Sequence, residues 1–229
     1  MNLASRLVLV GMGLTIIGPL SANLRISAPM AGFVLFFIGA LLALAGAVGE
    51  FIRMVKRRPI NPSAFVGFIP LVLGLVFFSK ARSFPPINDV STDLLDIPAF
   101  VQAGNLPENQ KRDMSYPEAF KPVVRTHYGD LTSLIIGGTP DEVMAKALTV
   151  LRQRPFIAIT REDKAAKEIE ATSESSFFKF KDDFILRFRP MGKSTQVDMR
   201  SKSRDGKGDV GANALRIRMT LNAIQKGEW

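Results

Sequence analysis

Cysteine is absent from this chain of 229 residues, and histidine and tryptophan each occur only once. Without cysteine the chain has no disulfide bond, no thiolate metal site and no cysteine nucleophile. A single histidine excludes a metal site built from several histidines. No G-x-S-x-G motif indicates a serine hydrolase, and we interpret His127 as a surface or packing residue. The sequence therefore predicts neither a metal site nor a cofactor.

Charge is absent from three long stretches near the N-terminus, residues 7–24, 26–49 and 59–79. Each is long enough to cross a hydrocarbon core of about 30 Å as a helix. Pro19 interrupts the first stretch, which also fits a signal peptide, although an uncleaved span is the favoured interpretation. We therefore predict a transmembrane region over residues 1–79, with spans at about 4–24, 29–51 and 62–80.

The loops between these stretches predict an orientation in the membrane. Residues 51–63 carry four basic residues, whereas the loop between the first two spans carries only Arg25. Loops rich in lysine and arginine stay on the cytoplasmic side. We therefore expect a multi-pass protein of the bacterial inner (plasma) membrane, with a cytoplasmic N-terminus and a periplasmic C-terminal domain.

The formal net charge of +9 does not indicate nucleic-acid binding. Residues 1–79 hold six basic residues and one acidic residue, so more than half of the excess lies in or beside the predicted membrane region. This charge fits membrane topology better than a surface for phosphate backbones. We expect the lipid bilayer, contacted through three spans, and a membrane protein as partners, and no nucleic acid.

Residues 81–126 are predicted to form an extended connector or strap, because six prolines prevent long helices and remove sheet donors. Residues 127–229 alternate strand-like and helix-like patterns. The segment TPDE at 139–142 has the form of a capping box, and an apolar stripe from Val210 to Ile224 predicts the last helix. We predict a membrane-anchored, extracytoplasmic α+β domain at 127–229: a small antiparallel sheet of about four to five strands packed with two helices.

The segment GKGDVG at 206–211 has the form of a G-x-G-x-x-G motif. A dinucleotide-binding fold needs a parallel βαβ unit and an acidic residue roughly 20 positions after the glycines. Only 18 residues follow Gly211, and the last helix fills them. The glycines therefore predict a sharp turn from strand to helix, with Asp209 as the N-cap.

Basic residues surround this turn. Arg200, Lys202, Arg204 and Lys207 lie in sequence beside a glycine-rich helix N-terminus. One interpretation is therefore a site for an anion, such as phosphate, a carboxylate or a lipid headgroup. Asp209, in the same loop, favours the other interpretation, that the arginines are already neutralised.

Asp182 and Asp183 are adjacent carboxylates, a combination that serves as acid and base in some enzymes. Neighbouring residues of a strand point to opposite faces of the sheet, so the two cannot easily share one substrate. Asp182 falls on the apolar face, where it needs an arginine partner. We favour a structural carboxylate–arginine network, with the partner drawn from Arg200, Arg204 and Arg216.

Two segments, EATSESSFFKFKDDFILRFRP at 170–190 and VDMRSKSRDGKGDVGANALRIR at 197–218, carry a family resemblance. They resemble the central motifs of an uncharacterised family called domain of unknown function 1499. The segment VSTD at 90–93 resembles its opening motif. The family has no established activity, so the resemblance implies no catalytic residue. Its members are typically exported or tethered to a membrane, which agrees with the predicted topology.

The leading hypothesis is a membrane-anchored periplasmic module that binds a partner protein or a small anionic or lipidic ligand. The alternatives are a cell-envelope hydrolase that uses aspartate carboxylates, and an accessory subunit of a membrane protein complex. The residues assigned to a ligand-binding or structural network are Asp182, Asp183, Arg187, Asp198, Arg200, Ser201, Ser203, Arg204, Asp209, Asn213 and Arg216.

Overall fold

The computed structural model describes residues 1–229, except for the side chains of Ser63, Leu71, Phe77, Phe78 and Lys80. The chain divides into two compact units. The first consists of Met1–Ser83 with Ser176–Lys179, and the second of Phe84–Ser175 with Phe180–Trp229.

Two apolar helices, α1 (Leu3–Asn23) and α2 (Pro29–Val55), dominate the first unit. Within the described part of the chain, these two are long and apolar enough to cross a membrane. The third predicted span, 62–80, is not confirmed. A 3-10 helix at Pro62–Phe68 is followed by α3 (Ile69–Ala81) of only 13 residues. Pro70 lies in the first turn of α3, the position where a helix tolerates proline, so the α-helix begins there and not at residue 62.

Backbone-to-backbone contact joins α1 and α2. A Cβ atom added at Gly39 would lie 2.6 Å from the carbonyl oxygen of Gly11, and one added at Gly32 would lie 2.6 Å from that of Gly18. Glycine at such positions lets apolar helices approach closely enough for extensive van der Waals contact. The hairpin of α1 and α2 is therefore tightly packed.

The two ends of this hairpin differ chemically. Near one end, the Ser5 hydroxyl donates a 2.6 Å hydrogen bond to the buried carboxylate of Glu50. At the other end, the side-chain amide of Asn23 donates to the carbonyl oxygens of Ser176 and Phe177, at 3.2 and 2.7 Å. The segment 176–179 of the first unit thus lies at the end of the hairpin away from the basic loop.

An antiparallel sheet of six strands forms the second unit, which confirms the predicted α+β class. The order is β1-β6-β5-β4-β3, and β2 also pairs with β6. One strand more is present than the four to five predicted, because β1 has only three residues and lies between prolines. The strands are β1 (Asp89–Ser91), β2 (Leu134–Gly137), β3 (Ile157–Asp163), β4 (Glu168–Glu174), β5 (Lys181–Met191) and β6 (Ser194–Ser203).

Further helices lie along residues 84–229. Short ones, α4 (Gln102–Asn105) and α5 (Phe120–His127), lie in the segment predicted as an extended connector. The longer α6 (Pro140–Arg152) begins with the predicted capping box, since the Thr139 amide donates to the Glu142 carboxylate at 2.8 Å. The last helix is α7 (Ala212–Lys226).

The hydrophobic core lies between the sheet and the helices α6 and α7. Phe184, Leu186 and Phe188 of β5 are buried there together with Ile217 and Ile224 of α7. We call this side of the sheet the helix-side face. Every second residue of β5 and β6 contributes to the helix-side face, as the predicted alternation requires, because alternate residues of a strand point to the same side of the sheet.

The start of α7 differs from the prediction. Gly211 has a φ of 79° and precedes the helix, and Val210 also has a positive φ, of 53°. Val210, predicted to belong to the core stripe, therefore lies outside the helix and is exposed. The turn also requires a glycine, because a Cβ atom at Gly211 would lie 2.4 Å from the Phe84 ring.

Residues 92–116, the middle part of the predicted connector 81–126, cover the opposite face of the sheet. From here on we call residues 92–116 the strap, and the side of the sheet that they cover the strap-side face. Within the strap, α4 contacts β3 and β4. The strap-side face carries mostly charged residues, and several are buried beneath the strap. These include Asp89, Glu170, Asp183, Asp198, Arg200 and Lys202.

Candidate functional site: the charged residues on both faces of the sheet

The eleven residues predicted to form a network fall into two groups on opposite faces of the sheet. On the helix-side face are Asp182, Ser201 and Ser203, with Asp209, Asn213 and Arg216 from α7 and the turn before it. On the strap-side face are Asp183, Arg187, Asp198, Arg200 and Arg204. The structure therefore brings the predicted residues together as two clusters, separated by the sheet itself.

Asn213, fully buried, is the centre of the helix-side cluster. Its side-chain oxygen accepts hydrogen bonds from the Ser201 hydroxyl at 2.7 Å and from Arg216 Nη1 at 2.8 Å. Its amide nitrogen donates to the Ser203 hydroxyl at 2.9 Å. Arg216 continues the network by pairing with Asp182. The helix and the sheet are thus joined by a hydrogen-bond network in which each polar group has a partner.

Asp209 fixes the beginning of α7. One carboxylate oxygen accepts from the Gly211 amide at 2.9 Å, and the other accepts from the Asn213 amide at 2.8 Å. Burial raises the pKa of the Asp209 carboxyl above its usual range, against the opposing effect of these two amides. The prediction that Asp209 is the N-cap is wrong, because Gly211 occupies that position, but the Asp209 side chain still binds the Asn213 amide of the first turn, where an external anion would otherwise bind.

Asp183 is the most completely bonded carboxylate on the strap-side face. Arg204 binds both of its oxygens, at 2.6 and 2.9 Å. The hydroxyl of Thr172 and the side-chain amide of Asn109 each donate to it at 2.8 Å. Asn109 is part of the strap and also accepts from Arg112 at 2.9 Å. Asp183 thus links β5 to β6, β4 and the strap.

Arg200 holds the middle of the strap. It pairs with Asp89 through two hydrogen bonds, at 2.8 and 2.9 Å. It also donates to the carbonyl oxygens of Pro98 at 3.1 Å and Met114 at 2.9 Å, which lie near the beginning and the end of the strap. Lys202 donates to the same Asp89 at 2.9 Å. The buried carboxylate of Asp89 is therefore shared by two cations that hold the strap on the sheet, and its single negative charge balances one of them.

Asp198 organises the third ion-pair group of this face. It accepts from the Ser133 hydroxyl at 2.6 Å and pairs with Arg187 at 3.2 Å and with Arg189 at 2.8 Å. Arg189 also binds the strap residue Asp93 at 2.6 Å. The first residues of the strap are thereby attached to the C-terminal half of β5 and the N-terminal half of β6.

Glu170 was not among the predicted site residues, yet it is fully buried under the strap. Its two carboxylate oxygens accept the backbone amides of Val101, Gln102 and Ala103, at 2.8 to 3.0 Å. Arg161 approaches it from β3 at 3.2 Å. Glu170 therefore binds the backbone of the strap at the start of α4.

Sequence reasoning also missed Asp89, Asn109 and Arg112. A charged residue between two apolar neighbours in a strand was the available signal. Glu170 between Ile169 and Ala171 gives that signal. Asn109 and Arg112 gave none, because they lie in an irregular segment where no periodicity defines a face.

A cavity of about 450 Å³ opens beside Arg200. The residues that line it are Ile97, Ala99, Phe100, Met114, Ser115, Tyr116, Glu118 and Arg200. The Arg200 guanidinium lies 4.7 Å from the centre of the Phe100 ring and 5.3 Å from that of Tyr116. Burial raises the pKa of the Tyr116 phenol. This cavity is lined mainly by the strap.

These arrangements limit the chemistry that the site can perform. Asp182 and Asp183 lie on opposite faces, and each is bound by an arginine. Arg200, Lys202 and Arg204 face the strap, so the structure does not bring them to the N-terminus of α7 as an anion site. In the part of the chain that the structure describes, no group of three histidine, aspartate or glutamate residues could hold a metal ion. His127 is exposed at the end of α5.

A comparison with protein families gives a match to the second unit. The model of the family described as Protein of unknown function (DUF1499) matches residues 89–224. The match begins at the first residue of β1 and ends in α7, so it contains both clusters and the strap. No curated protein matches the chain.

Proposed function

Because this chain belongs to the DUF1499 family, whose description assigns no function, we propose a function from its own geometry. The protein is a membrane-anchored binding or interaction module for a partner protein or a small lipidic ligand, and it is not a catalyst. The observation that carries the proposal is that the carboxylates of both clusters are already hydrogen-bonded within the protein. Catalysis needs a carboxylate that can reach a substrate, and binding needs a rigid surface with an open cavity.

Each carboxylate that an enzyme would use is already bound by other groups of the protein. Arg204, Thr172 and Asn109 saturate Asp183. Asp182 is bound by Arg216. Burial raises the pKa of the Asp209 carboxyl, but its two oxygens accept the backbone amides of Gly211 and Asn213. A hydrolase that uses these aspartates is therefore the weaker hypothesis.

The proposed location is the inner membrane of a bacterium, with the second unit on the periplasmic side. This topology requires residues 62–81 to cross the membrane as well. A seven-residue 3-10 helix and a 13-residue α-helix, placed end to end, would reach about 34 Å. The basic loop Arg53–Arg58 supports a cytoplasmic position for that end of the hairpin. Residues 176–179, at the opposite end, support a periplasmic position for the loop that contains them.

The test is to purify the full chain in lipid nanodiscs and to measure by native mass spectrometry which molecules stay bound. A retained small molecule, or a retained protein at fixed stoichiometry, is the expected result. A retained protein from the membrane would favour the accessory-subunit role within the same proposal. The proposal is overturned if the chain is empty and hydrolyses cell-envelope material, with the activity lost in Asp209→Asn but not in Asp141→Asn.

A further inference from the structure

The turn between β6 and α7, residues 206–211, is fixed to the segment that precedes β1. We call it the glycine turn. The side-chain amide of Asn88 donates to the carbonyl oxygen of Gly206 at 2.7 Å. The ring of Phe84 lies against Gly211, in the space that a Cβ atom would need. The glycine turn and the segment before β1 therefore form one continuous surface of the second unit.

Val210, in the glycine turn, has a backbone conformation that valine rarely adopts. Its φ of 53° lies in the left-handed region, which is unfavourable for a β-branched residue. The side chain is 37% exposed, so packing in the core does not explain why valine occupies this position. Glycine or asparagine would fit the conformation with less strain. An exposed apolar side chain at a strained position points to a contact outside the chain.

Two further apolar side chains are exposed beside Val210. Phe84, on Gly211, is 38% exposed, and Leu215 is 55% exposed. Leu215 lies one helical turn after Gly211, to whose carbonyl oxygen its amide donates at 3.0 Å. We call Phe84, Val210 and Leu215 the apolar patch, because all three lie at the start of α7.

The glycine turn carries no excess of positive charge. Lys207 is its only cation, against Asp209 within it and Asp205 directly before it. Arg204, the next cation along β6, is paired with Asp183. Anionic lipids therefore gain no electrostatic advantage at this surface, because such attraction needs a cluster of basic residues. The apolar side chains determine what the patch binds.

The chain connects the two units at the same end of the sheet. It passes between them after Ser83, after Ser175 and before Phe180. Within the second unit, the Arg204 amide donates to the carbonyl oxygen of Lys181 at 3.0 Å. The start of β5 therefore lies beside the end of β6, where the glycine turn begins.

These connections are short. Phe84 follows Ala81, the last residue of α3, by three residues, which span roughly 10 Å at most. Ser176, whose carbonyl oxygen is bound by Asn23 at the end of α1, directly follows the second unit. With the first unit anchored in a membrane, both connections keep this end of the second unit within reach of the bilayer surface.

We propose that the apolar patch inserts into the interfacial layer of the lipid bilayer, with Phe84, Val210 and Leu215 among the upper parts of the acyl chains. Burial of apolar side chains at this depth drives interfacial binding. The inference rests on the membrane anchoring in the proposed function, and it names the lipid surface as a partner of the second unit. It also explains an exposed valine in the glycine turn.

The test uses the full chain in phosphatidylcholine nanodiscs that each hold one chain. Because the chain has no cysteine, single cysteines can carry a nitrobenzoxadiazole label, and phosphatidylcholine with a 5-doxyl group quenches labels near the upper acyl chains. Val210→Cys and Leu215→Cys report the patch. Leu95→Cys, an exposed apolar position in the strap, is the matched control, and Ile38→Cys on the exposed side of α2 reports the hairpin.

We expect the 5-doxyl lipid to remove at least half of the emission of the labels on Val210→Cys, Leu215→Cys and Ile38→Cys, and none on Leu95→Cys. Labels on Val210→Cys and Leu215→Cys that stay as bright as the control would overturn the inference. So would a label on Val210→Cys that is shielded from water only in discs with two chains, since a second copy would then cover the patch. With Ile38→Cys quenched, either result leaves the membrane anchoring standing, whereas an unquenched label on Ile38→Cys overturns the anchoring itself.

Val210→Asn separates membrane contact from folding. Asparagine adopts a positive φ more readily than valine, so the midpoint of urea unfolding should be unchanged or higher. Quenching of the label on Leu215→Cys should fall at least twofold, because the patch loses an apolar side chain. Leu95→Asn should leave this quenching unchanged. Full quenching in Val210→Asn would contradict the insertion of Val210.

Discussion

Asp183 illustrates how this fold accommodates buried charge. The carboxylate is 1% exposed and accepts four hydrogen bonds, two of them from Arg204. A buried ion pair contributes little net stability compared with an apolar pair, but removal of one partner leaves an uncompensated charge. The pair therefore matters because both members must be present for the strap to lie where it does.

Replacement of Asp183 by asparagine should lower the free energy of unfolding by about 3 kcal/mol, because Arg204 would keep its charge without a carboxylate. Urea unfolding of the full chain in nanodiscs can be followed through Trp229, the single tryptophan. Its indole donates to the Val150 carbonyl oxygen at 2.6 Å, so its emission reports the second unit. Asp141→Asn, which breaks an exposed pair with Lys167, should cost less than about 1 kcal/mol. Equal effects of the two substitutions would contradict the argument.

Asp209 should give the stability a measurable pH dependence. Its pKa is raised by burial in the folded chain, so the folded state binds the proton more tightly than the unfolded state. Its contribution is therefore complete below the unfolded pKa of about 3.9 and is lost as the pH rises through the raised value. The difference in unfolding free energy between wild type and Asp209→Asn should fall with increasing pH in that window. A difference that is flat or rises with pH would disprove this assignment.

The strap is the element whose position depends most on charged side chains. Its backbone amides at Val101, Gln102 and Ala103 bind Glu170, and its carbonyl groups at Pro98 and Met114 bind Arg200. These bonds connect a segment with little regular structure to the sheet. The strap is therefore held by a few strong contacts and not by a continuous ladder.

Glu170→Gln should loosen the strap locally. The three amides at the start of α4 would lose a charged acceptor, so their hydrogen exchange should be about tenfold faster or more. Mass spectrometry of peptides covering the strap measures this in the full chain. Glu168→Gln is the matched control, because Glu168 also binds Arg161, at 2.8 Å, without contact to a strap amide. Unchanged protection in Glu170→Gln would show that the carboxylate does not hold the strap.

Periodic elements could be predicted from the sequence. The alternation of β5 and β6 predicts which residues share a face, and it correctly separates Asp182 from Asp183. The apolar spacing of α7 predicts the burial of Ala214 and Ile217, both of which lie in the core. These predictions succeed because a strand or helix repeats its direction at a fixed period.

The contacts of the strap, and the short helices that lie where the third membrane span was predicted, could not be predicted in this way. The contacts of the strap join backbone groups to single charged side chains, and such pairs leave no periodic pattern. Val210 shows the same limit within α7, since its spacing fits the core stripe but its positive φ places it before the helix. The run 64–78 is apolar, yet composition alone did not reveal the change from a 3-10 helix to an α-helix.

At the scale of the whole molecule, the absence of cysteine gives a clean background for mapping the topology. Lys56→Cys reports the basic loop and Lys193→Cys reports the turn between β5 and β6, and both positions are exposed. In spheroplasts, a membrane-impermeant maleimide should label Lys193→Cys at once and Lys56→Cys only after lysis. Labelling of both positions from one side would mean that residues 62–81 do not cross the membrane.

The edges of the sheet restrict how a partner protein can bind. β1 and β2 lie one after the other along β6, paired with residues 200–202 and 194–197, so that long strand offers no continuous free edge. At the other edge, β3 has a bulge between Ile159 and Arg161 and continues with charged residues. Bulges and charges prevent an added strand from pairing. Recognition by extension of the sheet, as in domains that capture extended peptides, is therefore disfavoured, and a partner must bind through side chains on a preformed surface.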